Sequence, residues 1–124
     1  MTGVSEIPAA TDVLGAEVPV LALPDVAVRL REPVTRVRQM VRDGRLLALR
    51  RDGVVSVPVD FLSGDDIVKG LPGTVTVLRD GGYSHEAILR WLFTDDATLP
   101  GTPIAALRSD RAREVKRRAQ AMAF

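Results

Sequence analysis

The reactive groups that stand out in this chain are guanidiniums. Residues 29–51 hold eight arginines (Arg29, Arg31, Arg36, Arg38, Arg42, Arg45, Arg50 and Arg51) against Glu32 and Asp43, a local balance of +6. Residues 108–118 hold Arg108, Arg111, Arg113, Lys116, Arg117 and Arg118 against Asp110 and Glu114, a balance of +4. The whole 124-residue chain is only +1, so everything else sums to −9. Charge sorted this way offers a polyanion a local footprint; the plainer alternative is two solvated helix faces. Thr35 and Gln39 stand among the first cluster. Gln can pair in bidentate fashion with adenine and Arg with guanine, while Thr can meet a thymine methyl or a phosphate. Gln39 with Arg42 or Arg36 therefore has the chemistry to read base edges. Arg38, Arg50 and Arg51 suit phosphates, which fix register and carry no sequence information.

Other chemistries are poorly supplied. There is no cysteine and one histidine, which removes thiolate nucleophiles, disulfides and His-rich metal sites. His85 stands beside Ser84 and Glu86, one step apart on a helix, where side chains diverge. Asp65-Asp66 and Asp95-Asp96 are adjacent pairs that read as loop or helix-end residues. The run LPGTVTVLRDGG lacks the Gly-Lys-Ser/Thr ending of a phosphate loop. No enzyme activity, cofactor, metal or small-molecule ligand is expected. No apolar run approaches 18 residues, so no membrane span is expected. The N-terminus has no basic start followed by an apolar stretch, which points to a cytoplasmic protein.

The elements that must position these groups fall in order. Residues 1–22 show no sustained period and read as a tail or strap, with the first dozen residues expected to be mobile. Thr2, Ser5 and Thr11 read as ordinary tail residues. Residues 23–62 form one unit. Pro24 suits the first turn of a helix carrying Val26, Ala27 and Leu30, and Pro33 breaks it and opens a second. At 100° per residue, Val34, Val37, Met40 and Val41 share one stripe, as a core-facing stripe should. Thr35, Gln39 and Arg42 fall on the opposite face, flanked by Arg36 and Arg38. Gly44 closes the helix. Leu46–Arg51 and Val54–Pro58 then flank Asp52-Gly53, which predicts a hairpin with a two-residue type I′ turn.

Residues 63–124 read as a helical region packed on that unit. Pro72 and Gly81-Gly82 bound one helix, although Thr74–Val77 has strand propensity. Ser84 caps a second, apolar around most of its girth through Ile88, Leu89, Trp91, Leu92 and Phe93. It is expected to be the buried central helix, with Trp91 a core anchor. Thr102-Pro103 opens a short helix through Leu107. Ser109 is expected to cap the last one, whose stripe of Ala112, Val115, Ala119 and Met122 is expected to dock within the chain, onto the Trp91 helix, leaving a monomer. Two helices, a hairpin and a helical bundle make a mainly α fold with a small β wing, in the order of a winged helix-turn-helix.

The segment LPDVAVRLREPVTRVRQMVRDGRLLALRRDG resembles the helix-turn-helix of excisionase and MerR-type domains. LPGTVTVLRDGGYSHEAILRWLF with TPIAALRSDRAREVKRRAQAMAF is more specific. It resembles an actinobacterial family of small winged-helix proteins known from mycobacteria, over roughly residues 7–124. The resemblance implies double-stranded DNA as partner, in transcription regulation or nucleoid association. Val37 matches that family's core position in the recognition helix, Thr35 and Arg36 the polar and basic pair before it, and Asp43-Gly44 the stop before the wing. The turn departs from the pattern, with Arg31 and Glu32 where a glycine and an apolar residue are usual. The C-terminal region also looks like the tail of some helix-turn-helix antitoxins, through Trp91-Leu92 and Thr102-Pro103-Ile104. That implies an alternative function, a protein partner held by the C-terminal helices.

Overall fold

A computed structural model describes residues 7–124. Its elements are β1 (Ala9–Thr11), β2 (Val20–Ala22), α1 (Leu23–Leu30), α2 (Val34–Arg42), β3 (Ala48–Arg51), β4 (Val54–Pro58), a 3₁₀ turn (Val59–Phe61), β5 (Leu62–Ser63) and β6 (Asp66–Ile67). The helices α3 (Leu71–Asp80), α4 (His85–Leu92), α5 (Pro103–Arg108) and α6 (Ala112–Ala123) follow.

The hairpin β3–β4 forms as its turn residues dictate. Asp52 and Gly53 both take positive φ, at 52° and 79°, and Leu49, Arg50 and Arg51 pair with Ser56, Val55 and Val54. The segment read as a tail is built into the same sheet. β1 pairs parallel with β3, Ala9 to Ala48, and β2 pairs antiparallel with β4, Leu21 to Val57, giving the order β1-β3-β4-β2. Both hairpin edges are thereby covered, which satisfies backbone groups that two short strands alone would leave open. Of the first dozen residues, 1–6 lie outside the described ones, so Thr2 and Ser5 do too; residues 9–11 are strand.

The turn between α1 and α2 closes without a glycine. Arg31 takes the left-handed conformation, φ 58° and ψ 42°, and Glu32 N–H donates to Ala27 O at 3.0 Å. For a residue with a Cβ that conformation costs about 1–2 kcal/mol. The exposed Arg31 side chain bears no packing constraint and leaves the turn geometry intact.

In the C-terminal half, α3 is helical despite its β-branched run. Thr74 Oγ1 donates to Gly70 O and Thr76 Oγ1 to Pro72 O, so the hydroxyls use carbonyls one turn back. Leu71, Thr74, Val75 and Leu78 are buried. α4 is amphipathic rather than apolar all round. Ile88, Leu89 and Leu92 are buried, Arg90 is exposed, and Trp91 and Phe93 are only half-buried. Trp91 thus anchors less than expected, and its Nε1 donates to Asp96 at 3.3 Å.

Ser109 does not cap α6: it closes α5, its hydroxyl donating to Ala105 O. Asp110, with φ 66°, delays the next helix until Ala112. The α6 stripe docks within the chain, but on α3 and α5 rather than on α4. A methyl on Gly70 would collide with Ala112, and one on Gly81 with Ala123. The two helices therefore lie side by side and parallel, with a glycine at each end permitting the approach. Phe61 and Phe93 stack tilted, centroids 5.8 Å apart, joining the two halves.

Candidate nucleic-acid interface

The face opposite the core side of α2 forms as the helical projection requires. Val37, Met40 and Val41 are buried, while Thr35, Arg36, Arg38, Gln39 and Arg42 are exposed. Gln39 Nε2 donates to Asp43 Oδ1 at 2.8 Å, which orients the amide one turn from the helix end. The side chains of Arg36 and Arg38 make no hydrogen bond or ion pair among the described residues. The helix begins at Pro33 with no capping side chain and no acid in its first turn, so its N-terminal dipole is uncompensated from within the helix.

The two wing arginines separate sharply. Arg50 is exposed and, among the described residues, unbonded. Arg51 turns inward, its side chain 17% exposed. Its Nε donates to Asp12 Oδ2 at 2.8 Å, its Nη1 to Val18 O at 2.6 Å and its Nη2 to Gly15 O at 3.1 Å. Asp12 is held below the usual carboxylate range chiefly by that guanidinium, and Arg51 is held above its own. Of the seven residues picked for DNA contact, six lie outward on α2 and the wing. The seventh, Arg51, ties the loop between β1 and β2 to the wing. An alternation rule places neighbouring strand residues on opposite faces, but only the fold shows which face meets Asp12.

Half of the second basic cluster is engaged in structure. Arg108 Nη1 donates to Asp60 O and Leu62 O at 3.0 and 2.6 Å, tying α5 to the end of the winged unit. Arg118 Nε donates to Asp96 Oδ2 at 3.1 Å, and Arg111 pairs with Glu114 at 3.4 Å. Asp96 also accepts from Trp91 and from the hydroxyl and backbone N–H of Thr98, and these bonds hold it far below the usual range. Arg113, Lys116 and Arg117 remain exposed.

A residue outside the first cluster comes close to the end of α2. Arg79, in the last turn of α3, lays its guanidinium across Gly44, directly after α2. Arg45 is exposed beside it. His85 is half-buried nearby and held below its usual range by burial and then by the Arg79 charge. Sequence spacing carries no sign of this meeting, since 35 residues separate Gly44 from Arg79. Among the described residues no group of three or more His, Cys, Asp or Glu is placed to hold a metal. No helix there is long and apolar enough to cross a membrane.

Two family models match the chain in succession. Residues 6–62 match the one described as "DNA-binding protein Rv2175c, wHTH domain", and residues 68–123 the "Rv2175c C-terminal domain of unknown function". The chain is 46% identical over 134 aligned positions to the DNA-binding protein Rv2175c of Mycobacterium tuberculosis (strain ATCC 25618 / H37Rv), covering 98% of this chain and 92% of that one. It resembles the NMR structure of Rv2175c with a TM-score of 0.86 and 45% identity, over 95% of this chain and 90% of that one.

Proposed function

The chain belongs to the Rv2175c family of winged-helix proteins, and we propose that it binds double-stranded DNA by laying α2 in the major groove. A helix fits that groove, where each base pair presents a distinct donor and acceptor pattern. The observation that carries this reading is the outward face of α2, where Thr35, Arg36, Arg38, Gln39 and Arg42 stand exposed over a fully packed Val37. Gln39 and Arg42 read bases, Thr35 and Arg36 meet the groove edge, and Arg38 and Arg50 neutralise phosphates. Arg51 acts from behind, by holding the strap against the wing.

The role is transcription regulation or nucleoid association, in the cytoplasm, by a protein that is monomeric when free. The stripe of α6 that a second copy or a protein partner would need is already covered by α3 and α5, with Val115 and Ala119 fully buried.

Fluorescence anisotropy with short duplexes of several sequences, titrated from low to high salt, tests this. Arg38 and Arg50 alone give an expected slope of log affinity against log salt of about −2. Binding independent of salt, or absent for every duplex, would sink the proposal. Sequencing of DNA recovered with the protein from cells separates the two roles: discrete peaks mark a regulator, broad coverage a nucleoid protein.

A further inference from the structure

We infer that Arg79 and Arg45 form a phosphate clamp at the C-terminal end of α2, so that the C-terminal region contributes a DNA-binding group of its own. The inference rests on the DNA-binding reading above and adds a residue from outside the winged helix.

Place is the first argument. Gly44 follows α2, takes φ +79° and is buried, and what covers it is the Arg79 side chain. Any methyl there would collide with Nη1 of Arg79. The guanidinium therefore lies against the backbone just past the end of the reading helix. Arg45 is the next residue and points to solvent. In recognition helices lying in the major groove, the C-terminal end passes close to the duplex backbone, as in homeodomains.

Unused bonding capacity is the second argument. A guanidinium carries five N–H donors. Arg51, Arg108 and Arg118 direct theirs to carbonyls and carboxylates of the protein. The side chains of Arg79 and Arg45 make no hydrogen bond or ion pair among the described residues. The Arg79 guanidinium thus lies over Gly44 without a protein acceptor, while Arg45, next along the chain, adds a second positive charge. The planar guanidinium fork matches the geometry of a phosphate.

The experiment uses the full chain with Arg79→Gln, Arg79→Lys, Arg45→Gln and the double Gln variant. Binding to two unrelated duplexes is measured between 50 and 200 mM salt, with a thermal melt of each variant. Arg79→Gln is expected to weaken both duplexes alike and to reduce the slope by about 0.9, so that the affinity loss across this range is about threefold smaller. Arg79→Lys keeps the parent slope, the double Gln variant loses about twice as much, and the melts coincide. An unchanged slope for Arg79→Gln overturns the inference, whether or not the melting temperature falls; a fall would mark Arg79 as an internal brace. A parent chain that binds neither duplex overturns the DNA-binding reading and this clamp with it. A parent that binds, with Arg79→Gln at the parent slope, overturns the clamp alone.

Discussion

The helices α2 and α6 are both short, basic and seated on a narrow apolar stripe, yet their cations do different work. Around α6, Arg111 meets Glu114, Arg118 meets Asp96, and Arg108 in α5 reaches the carbonyls of Asp60 and Leu62. On α2, Arg36 and Arg38 have no such acceptor among the described residues. The difference lies in what each helix faces. α6 runs beside the loop that carries Asp96, so Arg118 is drawn into joining elements while Arg113, Lys116 and Arg117 stay exposed. On α2 the side chains of Arg36 and Arg38 are exposed with no acidic partner among the described residues. A count of positive charge finds both clusters equally well; only the placement of acceptors tells which guanidiniums are tied to the protein itself.

Five substitutions test that contrast, from the largest expected effect to the smallest. Val115→Asp puts a carboxylate at a site with no exposure, between α6 and α3. An uncompensated buried charge costs about 4 kcal/mol. The melting temperature is expected to fall by more than about 10 °C at every protein concentration. A stable protein that merely loses a concentration-dependent species in sedimentation would show that α6 serves assembly instead.

Asp96→Ala removes the acceptor of Trp91, Thr98 and Arg118 together. Bonds to a charged group are worth about 2 kcal/mol in net stability, and α4 and α6 should loosen together. The same carboxylate sets a pH dependence. Its folded pKa lies far below its unfolded value near 3.9, through the Thr98 bonds first and then Arg118 and Trp91. The unfolded chain takes up the proton first, so the contribution is present above about pH 4 and is lost as pH falls below that. Acid melts of Asp96→Ala should therefore lack a step that the parent shows. Parallel acid melts of the two would remove Asp96 from this role.

Arg51→Ala and Arg50→Ala, made singly, divide the wing. Arg51→Ala is expected to lower stability by about 1.5 kcal/mol and to leave the salt slope unchanged, because its bonds run to Asp12, Gly15 and Val18. Arg50→Ala is expected to leave stability unchanged and to reduce the slope by about 0.9. Reversed results would put Arg51 on the DNA. The smallest effect belongs to Gln39→Ala, about 1 kcal/mol of discrimination at one base pair, read from competition between duplexes differing at single positions. Equal preference in parent and variant would remove Gln39 as a reader.

Much of the winged unit is legible in the chain itself. Pro33 and Gly44 bound α2, the spacing of Val34, Val37, Met40 and Val41 orients it, and Asp52-Gly53 sets the turn of the wing. Each is a local signal: a fixed φ, a helical period or a pair of residues that tolerate positive φ. The N-terminal strands escape such reading because three residues carry no period, and their pairing with β3 and β4 is decided by partners far along the chain. The cap of α6 is missed because Asp110, not Ser109, governs where the chain turns.

The types of chemistry available follow from composition alone: arginine-rich, without cysteine, with a single histidine, and with its positive charge gathered in two clusters. Helix and hairpin positions follow from local period and turn residues. The use made of each cation is decided only by tertiary structure. Arg50 and Arg51 are chemically identical neighbours, and Arg79 stands 35 residues beyond the glycine it covers. Whether a guanidinium meets a carbonyl, a carboxylate or solvent depends on which distant segment packs beside it, and no residue type or local spacing carries that information.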